Sequence, residues 1–374
     1  MRVAYYSPMP PERSGIADYS ALLVPALRER IQVDVAQRDG NANGDVALYH
    51  VGNDADVHGW ILERLRRRPG VVVLHDFVLH HLVAGLTLGR KQPKAYLAAL
   101  ERDGGVAARL LGLGVIDGCI PPLWEVRPQD FPLCGEVLDL ATGVVVHSAY
   151  VEERVRDRGY DGPLWRVPMA AWPSPPAEVA ELEGAPLFGA FGHMNASKRV
   201  PQLLRAFARF RTVHPDARLV LAGTADPSLE LAWRIEQAGL ADAVVREDYV
   251  PEERLWALLR RVDAAVALRA PTMGETSAVV IRGLSVGTPL VVSDIGWFSE
   301  LPDDVALKAP PDEREADALV AALETLSTPA VRETMGGRAR ELAESEHDLH
   351  RVADLYAAAL EEAARVPALG GSRS

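Results

Sequence analysis

Short apolar runs recur along the chain, and between them apolar residues return every three or four positions. The runs cover residues 2–6, 33–36, 46–51, 71–75, 144–147 and 164–167, then 187–191, 219–222, 243–245, 264–268 and 290–293. Unbroken apolar runs bounded by turn residues are the pattern of strands buried on both faces, as in parallel sheets. The intervening segments carry helical spacing, for example Leu22, Leu23, Ala26 and Leu27, or Leu203, Leu204, Phe207 and Phe210. Helices are likewise expected over 79–88, 94–111, 229–238, 252–262, 319–326, 334–344 and 347–364, whereas 112–132 is rich in Gly and Pro and has no period. Strands alternating with helices in this rhythm predict an α/β chain with doubly wound parallel sheets.

The alternation is interrupted once, by Pro168, Pro173, Pro175 and Pro176, which can continue neither helix nor sheet. The expected organisation is an N-terminal Rossmann-like domain (1–168), a proline-rich linker (169–180), a second Rossmann-like domain (181–345), a C-terminal helix (346–366) packing back on the first domain, and a disordered tail (367–374). Two such domains would face one another across a cleft, the usual place for a ligand. A length of 374 residues suits two domains, and 48% apolar with 25% charged residues is ordinary for globular chains.

A net charge of −12 argues against nucleic acid or an anionic membrane as partner of the whole chain. Cys119 and Cys134 form neither a metal spacing nor a disulfide framework, which points to a reducing compartment. Residue 2 already opens a strand, and no apolar run reaches the ~18 residues of a membrane span, so the expectation is a soluble, cytoplasmic protein. Arg64, Arg66, Arg67 and Arg68 read either as a solvated helix end or as a peripheral membrane contact.

Four loops at the carboxyl ends of expected strands hold the candidate chemistry, because open α/β sheets bind ligands there. In the first, Gly15 lets backbone approach a ligand, with Asp18 and Tyr19 just beyond. In the second, His75-Asp76 followed by His80 and His81 reads as a polar pair, as a metal site of no common zinc spacing, or as a neutral hydrogen-bonding group facing the cleft. In the third, Gly192, His193 and then Lys198-Arg199 place two cations at a helix start, against the helix dipole unless an anion is bound. Otherwise they are a plain exposed pair. The fourth runs from Leu268 to Pro289, where Thr276 or Ser277 caps a helix whose free N–H groups form an anion site, or merely a well-made helix end. Neither a P-loop nor a Gly-x-Gly-x-x-Gly turn nor a Gly-x-Ser-x-Gly elbow occurs in place, which excludes the common NTPase, dehydrogenase and serine-hydrolase signatures.

Together, Ser14-Gly15-Ile16-Ala17-Asp18-Tyr19-Ser20, His75-Asp76, Gly192 to Arg199, and Leu268 to Pro289 with Asp294 resemble the retaining nucleotide-sugar glycosyltransferases of family 4, over nearly the whole chain and in a subgroup with Gly274-Glu275-Thr276-Ser277 at the donor loop. The resemblance implies the two-domain GT-B fold, with the donor on the C-terminal domain and the acceptor on the N-terminal one. It implies a hexosyltransferase that uses no metal and no cofactor beyond its nucleotide-diphosphate sugar, with a sugar, a lipid-linked or a small-molecule acceptor.

Carried over by position, Lys198 matches the lysine that holds the donor diphosphate, and His75 the histidine that contacts the transferred sugar. Glu275 matches the first of a glutamate pair, offset by one residue; Arg282 stands where the second, ribose-binding glutamate is expected. The remaining donor contacts implied are Gly15, His193, Arg199, Gly223, Tyr249, Val250, Thr272, Gly274, Thr276, Ser277 and Ala278, and the acceptor contacts Asp18, Tyr19 and Asp76. Alternatives are a silent nucleotide-sugar-binding protein and a GT-B epimerase. Donor base, sugar, acceptor and oligomeric state are left open.

Overall fold

The computed structural model describes residues 1–176 and 178–365, so the expected tail at 367–374 lies outside the described residues. These divide into two compact units. Among the described residues, unit 1 contains Met1–Ala170, Met273–Thr276 and 349–365; unit 2 contains Ala171–Thr272 and Ser277–Asp348.

Unit 1 is built on β1 (Arg2–Tyr6), β2 (Gln32–Val35), β3 (Val46–Val51), β4 (Gly70–Leu74), β5 (Ala141–Val146) and β6 (Leu164–Arg166). They form one parallel sheet in the order β2-β1-β3-β4-β5-β6, with Leu48 opposite Val71 and His50 opposite Val73. Every residue of β3 and β4 is buried, because helices cover both faces of the sheet. Those helices are α1 (Gly15–Arg28), α2 (Ala55–Arg67), α3 (His80–Thr87), α4 (Pro93–Ile116), α5 (Leu123–Val126), α6 (Gly135–Leu140) and α7 (Ala149–Asp157).

The C-terminal helix Leu349–Arg365 belongs to this unit and packs on α1 and β3. Its buried stripe is Val352, Ala353, Tyr356, Ala357, Ala359 and Leu360, a single helical face. Asp354 pairs with Arg30 at 2.5 Å, and Trp165 Nε1 donates to Glu362 at 2.9 Å.

Unit 2 repeats the architecture with β7 (Leu187–Phe191), β8 (Arg218–Ala222), β9 (Val244–Glu247), β10 (Ala264–Ala267), β11 (Leu290–Ser293) and β12 (Ala306–Ala309), all parallel in the order β12-β11-β10-β7-β8-β9. Its helices are α8 (Val200–Arg211), α9 (Leu231–Gln237), α10 (Glu252–Arg261), α11 (Ala278–Val286), α12 (Glu315–Ser327) and α13 (Pro329–Glu346). Phe188 meets Phe207 and Phe210 edge-on in its core. The doubly wound sheets follow the sequence pattern, and several segments depart from it. Neither β12 nor the short helices α5 and α6 have counterparts among the expected elements, and α4, kinked at Gly105 (φ +68°), runs on to Ile116 through Gly112 and Gly114.

Part of the proline-rich segment is strapped to unit 2. The Ala171 N–H donates to the His347 carbonyl at 2.7 Å, Arg260 donates to Ser174 and Pro175, and Arg261 donates to the Leu182 carbonyl at 2.8 Å. The α2 arginines are likewise used internally: Arg66 grips Glu136 at 2.6 and 2.9 Å, and Arg64 donates to Asn41.

Candidate active site

In unit 2 the candidate residues gather at the carboxyl ends of β7 and β10. Ser277 caps α11, its hydroxyl accepting from the Val280 N–H, and the Ala278 and Val279 N–H groups at the helix start have no acceptor in the helix's own ladder. Lys198 follows a turn that begins at Gly192. Its ammonium donates to the Phe191 carbonyl at 2.6 Å. Gly192 has φ +87°, and a Cβ there would lie 2.7 Å from Lys198 Nζ, so only glycine leaves the ammonium this position. One cavity is lined by Phe191, Lys198, Arg269, Ser277, Val279 and Phe298. Arg269 is tied to Ser197 and, through its backbone N–H, to Ser293, and sequence reasoning missed it.

Gly223 comes up against the Gly192 carbonyl, with the space of its absent Cβ only 2.3 Å from that oxygen. His193 Nδ1 lies 2.9 Å from Thr224 Oγ1 at the surface. Tyr249 is exposed, Val250 half-buried, and Thr272 fully buried against Gly296.

Arg199 is expected at the donor, and Arg282 stands where a ribose-binding glutamate is expected; each has a partner within the protein. The countercharge for Arg199 is inside the protein: its guanidinium clasps both oxygens of Glu315 at 2.5 Å, and that carboxylate is only 4% exposed. Arg282 is buried, its guanidinium 3.8 Å above the Trp172 ring and 3.3 Å from Glu252, so it fastens the start of the proline segment to α11. Glu315 lies 116 positions from Arg199, beyond the reach of any local sequence signal.

In unit 1, Gly15 opens α1 behind the Ser14 cap with open space where a side chain would stand. Asp18 is exposed on the first turn of α1, whereas Tyr19 is fully buried, its phenol pushed up to about 12 by burial. Asp76 accepts from the Asn53 N–H at 2.9 Å.

His75 is not a ring open to solvent either. It is 5% exposed, with Nε2 2.9 Å from His50 Nδ1 and Nδ1 3.2 Å from His147 Nε2. Burial and the neighbouring imidazoles hold its pKa well below the usual histidine value, so it is neutral.

The loop tip Met273–Thr276 belongs to unit 1. The Val78 N–H donates to the Met273 carbonyl, Gly274 at φ +85° packs against Phe77, and the Glu275 carboxylate accepts from the Met273 N–H at 2.7 Å. Thr276 is buried, and Ala278 begins α11. Among the described residues no group of three or more His, Cys, Asp or Glu side chains could hold a metal ion, and no helix is long and apolar enough to cross a membrane.

Comparison with known proteins fits this picture. Residues 185–328, all in unit 2, match the family model described as glycosyl transferases group 1. The glycogen synthase of Mycobacterium tuberculosis is 25% identical over 292 residues, 76% of this chain and 67% of that protein. Among solved structures, sucrose-phosphate synthase from Thermosynechococcus elongatus is 17% identical, with 97% of this chain and 98% of that one covered at a TM-score of 0.67. Anabaena HepE in complex with UDP-glucose is 13% identical, with 97% and 100% covered at a TM-score of 0.66. WaaG, a glycosyltransferase involved in lipopolysaccharide biosynthesis, is 12% identical, with 99% and 100% covered at 0.61.

At these identities the solved structures speak for the fold, which is GT-B. With a group 1 domain in unit 2, the chain is an enzyme, a glycosyltransferase.

Proposed function

We propose that this enzyme moves a hexosyl group from a nucleoside-diphosphate sugar to an acceptor hydroxyl with retention of anomeric configuration, using neither metal nor resident cofactor. The donor belongs to unit 2 and the acceptor to unit 1. The observation that carries this reading is the cavity where Lys198, Arg269 and the capped start of α11 come together. Two cations and a row of N–H groups suit a diphosphate whose charge rises as the sugar–oxygen bond breaks. That the structurally similar HepE was solved with UDP and with UDP-glucose supports a donor of this class. In the step itself the anomeric C–O bond to the diphosphate breaks while the acceptor oxygen bonds to the same face. The acceptor's proton passes to the departing phosphate oxygen.

Replacing Lys198 by Ala is expected to lower donor turnover roughly 100-fold, in line with the loss of one charge-stabilising donor. Wild-type turnover in Lys198→Ala would remove the diphosphate from this cavity. Arg282, stacked on Trp172 in place of a carboxylate, favours a second reading in which a nucleotide sugar is bound and not turned over. Calorimetric binding of a nucleoside diphosphate without any donor hydrolysis or transfer would select it.

A further inference from the structure

Three buried imidazoles stand in file along the carboxyl edge of the unit 1 sheet: His50 on β3, His75 just after β4 and His147 just after β5. His147 Nδ1 lies 2.8 Å from the Val167 carbonyl, His147 Nε2 3.2 Å from His75 Nδ1, and His75 Nε2 2.9 Å from His50 Nδ1. The carbonyl end fixes the direction of the whole file. A carbonyl only accepts, so His147 carries its proton on Nδ1 and accepts on Nε2. His75 must then donate from Nδ1 and accept on Nε2, and His50 must donate from Nδ1. What remains is the His50 Nε2 lone pair, buried and without a hydrogen-bond partner.

An unpaired buried acceptor costs about 1–3 kcal/mol, so this open end is where the file responds to its surroundings. The groups facing it are phenols and imidazoles. Tyr5 of β1, Tyr19 of α1 and Tyr356 of the C-terminal helix have ring centroids 4.7, 6.3 and 6.4 Å from that of His50, and His58 of α2 lies 3.2 Å from the His50 carbonyl. Tyr5 donates to Ser20, which also meets Ser7. The nearby carboxylates are turned to backbone: Asp54 accepts from Asp56 and Val57, and Asp76 from Asn53.

The file has a second self-consistent state, one proton richer. A proton bound at His50 Nε2 lets the His50 Nδ1 proton pass to His75 Nε2, and the His75 Nδ1 proton pass to His147 Nε2. Both inter-ring hydrogen bonds survive with reversed direction, and the charge rests on His147, still donating to Val167. The carbonyl cannot take the proton on, so the file stores one proton and conducts none away.

We propose that this file is a one-proton acid sensor, in which uptake at His50 is coupled to release of the C-terminal helix that covers it. The sign follows from burial. With the helix docked, burial and the charge of neighbouring rings hold His50 and His75 well below the ordinary histidine value, so the docked state excludes the proton. With Tyr356 lifted, His50 is hydrated and binds a proton near its ordinary ~6.5. Below that pH each unit of acidification raises the released fraction up to about tenfold.

Hydrogen exchange of the full chain, read by mass spectrometry and corrected for the intrinsic pH dependence of exchange, tests the coupling. Peptides from Leu349–Arg365 are expected to open roughly tenfold more often at pH 5.5 than at pH 7.5, while peptides from α8 are unmoved. His50→Gln keeps a donor toward His75 but cannot titrate, and should flatten the response; His50→Phe should do the same. A flat wild-type profile overturns the proposal, as does an unchanged response in His50→Gln. The wild-type protein alone also decides the hydrogen-bond direction: ¹⁵N spectra at pH 7.5 should find His50, His75 and His147 all protonated on Nδ1, and an Nε2–H tautomer at any of them rules the file out.

Discussion

At the scale of single residues, Arg199 shows how a partner distant in sequence engages a charge. Arg199 pairs with Glu315, a carboxylate only 4% exposed. Replacing Arg199 by Ala is expected to cost about 3–5 kcal/mol of unfolding free energy, because it strands that carboxylate rather than because the pair itself stabilises so much. Urea unfolding measures it. Pairing the change with Glu315→Gln should recover most of the loss. Had Arg199 served the donor, its removal would weaken nucleotide binding with stability intact, so the two roles separate in one pair of titrations. Lys198 and Ser277 were legible because a strand end, a glycine and a cap lie close together in sequence. Glu315, Arg269, His50 and His147 were not, since each acquires its meaning from a partner brought near only by folding. His75 lies between these cases: its position could be read, and its two ring partners could not.

At the scale of elements, apolar runs between turn residues marked the strands well wherever both faces are covered. Strand β12 escaped because it is a sheet edge of only four residues broken by a lysine, with Leu307 and Lys308 only half-buried. In α4 the glycines play different parts: Gly105 kinks the helix at φ +68°, and Gly112 does not break it. Gly112 is there because a Cβ would strike Leu100 at 2.4 Å and Leu97 at 2.9 Å, so it is a packing glycine within a helix. The turn from β7 into Lys198 offers a sharper test of element geometry. Gly192→Ala places a methyl against the ammonium and forces alanine into left-handed backbone at about 1–2 kcal/mol. The folded protein should survive with nucleoside-diphosphate affinity lowered about tenfold by calorimetry. Unchanged affinity would mean that Lys198 does not hold the diphosphate from this position.

At the scale of the whole molecule, unit 1 holds five histidines with depressed pKa: His50, His58, His75, His80 and His81. Burial pulls both His58 and His80 down to about 4. A base whose folded pKa lies below its unfolded ~6.5 gives full stability above that pH and loses it as pH falls toward the folded value. Each such group therefore removes about 1.4 kcal/mol per pH unit across the window from ~6.5 to ~4. Denaturant midpoints taken at pH 7.5, 6 and 5 should fall in that order, and an Asn at either position should shallow the decline. A level profile would show that these rings are hydrated in solution.

Unit 1 is assembled from three separate stretches of chain, the last of them a helix joined to α13 of the other unit. The two units are therefore not beads that a gene could exchange by a single cut. A fragment ending at Ala170 would lack Tyr356 over the histidine file and the Asp354 partner of Arg30, leaving an apolar stripe on α1 and β3 open to water. A hybrid with a new unit 2 must keep its first half and its last helix from the same parent.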